Sequence, residues 1–192
     1  MADDEHLRES RVASEVVFRG ALLDVRRDRV RLPDGREATR EYIVHPGAVV
    51  VVPLLDDGRL VMERQFRYPL GRVLLELPAG KIDAGEGPLA TGVRELAEET
   101  GYTAREWARA GLMHNAVGYS DERIEIWFAR GLTAGACRPD DGEHLEVVLV
   151  DPAELDAMAA RGEVTDVKTL VGLLWLQRWR AGAWPLRWQP AP

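Results

Sequence analysis

Gly80-Lys81-Ile82-Asp83-Ala84-Gly85-Glu86 is followed, after seven residues, by Arg94-Glu95-Leu96-Ala97-Glu98-Glu99-Thr100-Gly101. Pro88 near the start and Gly101 just past the end mark a helix over Leu89–Thr100. Leu89, Val93, Leu96 and Thr100 recur at helical spacing and give that helix one inward face. Glu95 and Glu99 then lie one turn apart, with their carboxylates side by side, and Glu98 follows Glu95 by three residues. Like charges at this spacing weaken a helix unless something compensates them. Arg94, four residues before Glu98, is one compensating group. Divalent cations are another, because hard cations prefer carboxylate oxygens. Glu-Leu-Ala-Glu-Glu alone reads more readily as a solvated charged face. The whole pattern does not, since seven fixed residues at roughly 7% frequency each coincide by chance about once per 10⁸ to 10⁹ starting points.

Working outward, turn signals at Asp34-Gly35 and Asp57-Gly58 separate apolar runs that read as strands. The strand candidates are Val49–Leu55, Leu60–Phe66, Val73–Leu77, Ala108–Met113, Ile124–Ala129 and Leu145–Val150, and Val12–Val44 reads as a small β lobe. Asp151-Pro152 with Glu154 predicts a capped helix ending at Gly162, and a last helix is expected over about Val167–Trp179. Strands with helices at their edges indicate an α+β chain or an α/β sandwich with a short N-terminal lobe. The expected division is residues 1–45 as that lobe, 46–182 as the main domain, and 183–192 as a tail ordered by docking.

Composition bounds the function classes. The chain has 192 residues, 46% apolar and 30% charged, with a formal charge of −7, which argues against a nucleic-acid partner. Its one cysteine, Cys137, excludes an internal disulfide and suits a reducing cytoplasm. The apolar runs are too short to span a bilayer. An acidic protein acting on a polyphosphate has to recruit cations. His45, His114 and His144 show no metal-ligand spacing.

The quoted stretch resembles the Nudix box at Gly80, Glu86, Arg94, Glu95, Leu96, Glu98, Glu99 and Gly101, with Tyr102 where an aliphatic residue is usual. That resemblance implies an α/β/α sandwich with a mixed sheet. It also implies a pyrophosphohydrolase using Mg²⁺, with Mn²⁺ as a substitute. Glu95 and Glu99 match the main metal ligands, Glu98 assists, Arg94 orients a box glutamate, and Glu86 supports the metal shell. Cations fit the chemistry, because water attacking a pyrophosphate meets two negative phosphoryl groups and a poor leaving group.

The likeness extends beyond the box. Glu76-Leu77-Pro78-Ala79-Gly80 resembles the lead-in of ADP-ribose and nucleoside diphosphate sugar pyrophosphatases, which implies that the Ala79 carbonyl binds metal and Glu76 lies beside substrate. Arg67, closing Arg64-Gln65-Phe66-Arg67, matches a diphosphate contact. Asp140-Asp141-Gly142-Glu143 resembles a loop that supplies the catalytic base, with Glu143 as the base and Glu122 as its rival. Gly162–Thr169 resembles the same branch. The N-terminal lobe resembles a segment exchanged across a homodimer, with Arg40 and Glu41 either reaching the partner's substrate or serving as edge-strand charges. The expected substrate is a nucleoside diphosphate sugar, ADP-ribose first. Val117 stands where proline is expected in that branch, and Leu22 and Leu23 stand where a base-stacking aromatic belongs, so GDP-mannose or a broad range stays open. A ligand-sensing module and a nucleoside triphosphate hydrolase are the other readings. The three box glutamates favour an enzyme over the first, and the N-terminal lobe with the Glu-Leu-Pro-Ala-Gly lead-in argues against the second.

Overall fold

The structure, a computed structural model, describes residues 4–139 and 142–192. Its strands are β1 (Ser10–Arg19), β2 (Asp24–Arg31), β3 (Glu37–Val44), β4 (Ala48–Leu54), β5 (Leu60–Arg67), β6 (Arg72–Glu76), β7 (Ala79–Lys81), β8 (Tyr102–His114), β9 (Arg123–Ala134), β10 (Leu145–Val150) and β11 (Trp188–Pro190). The helices are α1 (Pro88–Thr100), α2 (Pro152–Ala160) and α3 (Val167–Arg180). Two compact units emerge, one made of the chain up to Pro46 plus His114–Arg123, the other of Gly47–Met113 plus Ile124–Pro192.

The first unit is a three-stranded antiparallel sheet in the order β1-β2-β3. The Asp34-Gly35 turn forms as its sequence dictates, with Gly35 at φ 86°. The 114–123 segment joins through Ile43, whose N–H donates to the Tyr119 carbonyl at 2.9 Å.

The second unit carries a mixed eight-stranded sheet whose main path is β10-β5-β4-β9-β8-β11. β4 runs parallel to β9, while β10 and β6 pair antiparallel with β5. Side chains alternate across a strand, and β4 shows why both faces need helices. Val50 and Val52 point to a core shared with Leu155 of α2 and with Leu173 and Leu176 of α3. Val49 and Val51 point to a second core with Leu96, Trp107 and Trp127, against which Leu89 and Val93 of α1 pack. A sheet covered on both faces is the expected α/β/α sandwich.

One irregularity places the candidate site. β4 and β5 pair only at Leu54 and Leu60. Beyond that point they part, β6 fills the edge of β5, and β7 takes the edge of β4. α1 begins beyond Gly87 and ends at Gly101, whose φ of 75° is the left-handed conformation that closes helices.

Several expectations change. β8 and β9 extend well past Ala108–Met113 and Ile124–Ala129. β7 forms outside the strand candidates, because its pairing with Ala48–Val50 is not local. Asp151 does cap α2 by accepting from Ala153 N–H at 2.7 Å, but Glu154 pairs with Arg161 instead. The tail is docked: Trp188–Pro190 pairs with Glu106–Ala108, and Arg130 lies 4.0 Å from the Trp188 ring centroid.

Candidate active site

Helix α1 delivers the box carboxylates to the parting of β4 and β5. Arg94 organises them. Its guanidinium donates to Glu98 at 2.9 Å, to Glu86 at 3.1 and 3.2 Å and to the Lys81 carbonyl at 3.1 Å, and it pairs with Glu95 at 2.8 Å. Glu86 also accepts from Thr91 Oγ1 at 2.7 Å. The Arg94 contact outweighs partial burial and holds the Glu86 carboxyl below its ordinary value. Glu86 and Arg94 thus brace the loop before α1 against its second turn.

Glu95 and Glu99 sit deeper. The Glu95 carboxylate rests against Gly80, so closely that any Cβ there would overlap it. Burial pushes Glu95 up to about 7; Arg94 opposes this, and Glu98 and Glu143 add repulsion. Glu99 is almost fully buried, and its carboxylate accepts from Ala79 N–H at 2.9 Å. Burial first, then repulsion from Glu63 and Glu95, raises it above the ordinary carboxylate range. Ala79 is held in register opposite Val50.

Beside this group lies a second one. Glu76, buried at the end of β6, accepts both Arg67 Nε and Nη2, at 2.7 and 2.8 Å, and Lys168 Nζ at 2.8 Å. Burial raises its pKa, but Arg67 and Lys168 together more than offset this and leave it lowered. Two of the residues singled out for substrate, Arg67 and Glu76, are therefore each other's partners. Lys168 was not among the expected site residues. It sits one residue past the start of α3, whose cap Asp166 also accepts from Lys168 at 2.7 Å.

Glu63 was missed as well. It is fully buried in β5, directly opposite Glu76. Among the described residues neither of its carboxylate oxygens has a hydrogen-bond partner. Its alternation with Arg64, which reaches Glu146 at 2.7 Å, is the one sequence signal that marks it as inward-facing.

The two candidate bases fall in different units. Glu143 precedes β10 and is partly buried, and its charge reaches Glu63, Glu95 and Glu99 alike. It also lines a cavity of about 390 Å³ with Arg64, Phe66 and Val73. Asp140 and Asp141, quoted with it, lie outside the described residues. Glu122 belongs to the first unit, where it accepts from Asn115 at 2.7 Å and pairs with His45 at 3.7 Å. Arg40 and Glu41 lie on the edge strand β3, occupied by Glu9 and Arg27 respectively.

The donor set suits a hard cation. It consists of carboxylate oxygens, it is short of positive charge, and it contains two orphaned buried oxygens on Glu63. Among the described residues no three acidic, His or Cys side chains already converge on one point. Glu95 and Glu99 are the residues of this set that would hold such an ion, which would supply positive charge beside their carboxylates.

Comparison with known proteins identifies the family. The NUDIX domain family matches residues 44–171, and the nucleoside diphosphate sugar hydrolase N-terminal domain matches residues 9–43. An ADP-ribose pyrophosphatase of Bacillus subtilis is 37% identical over 173 residues, 89% of this chain and 94% of its own. One of Mycobacterium tuberculosis is 39% identical over 168 residues, 85% of this chain and 80% of its own. The solved structure of an ADP compounds hydrolase superposes with a TM-score of 0.82 at 24% identity, covering 92% of this chain and 96% of that one, which shows the shared fold. With a family match over most of its length and an intact box, the chain is a member of the Nudix hydrolase family.

Proposed function

We propose that the chain hydrolyses the pyrophosphate bond of an ADP-sugar, with ADP-ribose the preferred substrate and AMP and ribose 5-phosphate the products. The observation that carries this is the pair Glu95, partly buried against Gly80, and Glu99, buried and hydrogen-bonded to Ala79 N–H. The names borne by the relatives support the substrate class. Water adds to one phosphorus, the bridging P–O bond breaks, and the water's proton passes to a carboxylate. Bound Mg²⁺, or Mn²⁺ in its place, would neutralise the phosphoryl oxygens and activate the water. Glu95, Glu99 and the Ala79 carbonyl are the proposed ligands, with Glu98 assisting. Glu86 and Arg94 fix the geometry around them. Arg67, backed by Glu76, faces the diphosphate. Glu143 takes the proton, since its side chain is in electrostatic reach of the box glutamates while Glu122 is held by Asn115 and His45.

We place the first unit at a homodimer interface. All ten residues of β1 are exposed, Val12, Val16, Val17 and Phe18 included, and such an apolar edge calls for cover. Arg40 and Glu41 are then offered to the partner's substrate. No helix among the described residues is long and apolar enough to cross a membrane, and a cytoplasmic location fits the lone cysteine.

A panel of ADP-ribose, GDP-mannose, NADH, diadenosine polyphosphate and 8-oxo-dGTP, each with Mg²⁺, tests the proposal. ADP-ribose should give the highest kcat/KM. Turnover of the triphosphate alone would overturn the substrate class, and turnover of GDP-mannose alone would move the assignment to another sugar nucleotide.

A further inference from the structure

We propose that Glu63 is a further carboxylate of the cation site, binding a hard divalent ion together with Glu99 at the parting of β4 and β5. The inference rests on the reading of Glu95 and Glu99 as cation ligands, and extends it to a residue outside the box.

Position supplies the first argument. Leu60, Val61 and Met62 precede Glu63 in β5, and all four residues are fully buried. An apolar side chain at 63 would continue that run at no cost, whereas a buried carboxylate without hydrogen bonds is strongly unfavourable. The backbone of Glu63 lies between β6 and β10, opposite Glu76 on one side and Val147 on the other. Its side chain has no such support.

The neighbouring cations do not supply it. Arg67 turns its Nε and Nη2 to Glu76, and Lys168 divides itself between Glu76 and Asp166, so neither hydrogen-bonds Glu63 although the charge of each reaches it. Glu63 instead faces a like charge directly across the strand pair, an arrangement that destabilises a sheet.

Electrostatics shows where Glu63 is felt. After burial, its charge is the largest influence raising Glu99, and Glu143 acts on Glu63, Glu95 and Glu99 together. Glu63 and Glu99, both buried, are thus in electrostatic reach of each other. A divalent ion held between them would relieve that repulsion, and Glu63 would bring two oxygens with no competing hydrogen-bond partner among the described residues.

The test is titration of the full chain with Mn²⁺ alone, without substrate, reading free Mn²⁺ by electron paramagnetic resonance. Glu63→Gln, Glu63→Met and Glu99→Gln are compared with wild type, together with melting in chelator. Both Glu63 variants should bind Mn²⁺ at least ~10-fold more weakly than wild type, or bind one ion fewer. In chelator Glu63→Met should melt no lower than wild type. Wild-type affinity and stoichiometry in both Glu63 variants, with Glu99→Gln impaired, would overturn the inference and leave the box site standing. Unchanged binding in all three would overturn the box reading as well. A marked loss of stability in chelator for both Glu63 variants would also refute it, since Glu63 would then be holding the fold.

Discussion

Gly80→Ala places one methyl group where the Glu95 carboxylate lies. Two relaxations are open. β7 can move, but Gly80 is paired with Val49 in the middle of a fully buried run, and displacing it disturbs both faces of the sheet. Overpacking relieved in that way costs typically ~1–3 kcal/mol. Alternatively Glu95 swings aside, which is cheaper because the obstructing atoms are the end of a flexible side chain. Its tie is one 2.8 Å pair with Arg94, which keeps Glu86 and Glu98 afterwards. Losing such a partly exposed pair costs about 0.5–1 kcal/mol, offset in part by returning a buried carboxylate toward water. The side-chain route wins. The expected Tm shift in chelator is therefore under about 4 °C for a chain of this size. Cation binding should suffer far more, because a first ligand has been turned away: Mn²⁺ affinity is expected to fall at least ~10-fold, and kcat/KM with it. Differential scanning fluorimetry in chelator, paired with a Mn²⁺ titration, separates the two effects. Wild-type Mn²⁺ affinity in a folded Gly80→Ala protein would refute the reasoning.

Three further predictions address the same site. Glu99→Gln should melt in chelator no lower than wild type, yet lose at least ~10²-fold in kcat; near-normal turnover would remove Glu99 from the machinery. Glu143→Gln should bind Mn²⁺ and substrate normally and lose ~10²–10⁴-fold in the chemical step under single-turnover conditions, whereas the same result for Glu122→Gln alone would transfer the role of base. In chelator the stability should fall as pH rises from about 4.5 toward 7. Burial raises Glu95 from 4.5 to about 7, so the folded chain keeps a proton there that the unfolded chain has released. This one group accounts for at most ~3–4 kcal/mol across that window, and saturating Mg²⁺ should flatten the profile. A flat profile in chelator would show that Glu95 is not buried as described.

What could be read from the sequence followed from local rules. Pro88 and Gly101 bound α1, Asp34-Gly35 and Asp57-Gly58 turn where expected, and the spacing of Glu95 and Glu99 survives unchanged in the fold. The strand β7 was hidden because Pro78-Ala79-Gly80 has turn chemistry, and only pairing with β4 makes it extended. Glu63 was hidden for the opposite reason. A glutamate followed by Arg64 looks like a solvated pair, and nothing local says that β5 buries one and exposes the other. Lys168 and Glu76 are 92 positions apart, and their 2.8 Å contact depends on the start of α3 meeting the end of β6, where Leu77 N–H donates to Thr169 Oγ1. Residues joined through the sheet's parting are thus the ones that sequence spacing does not reveal.

The most direct test of the central claim is product analysis of ADP-ribose by ³¹P nuclear magnetic resonance, with Mg²⁺ and again in excess chelator. The account predicts AMP and ribose 5-phosphate in equal amounts with Mg²⁺, and no turnover in chelator. Undiminished hydrolysis in chelator, or cleavage at any bond other than the pyrophosphate, would contradict it.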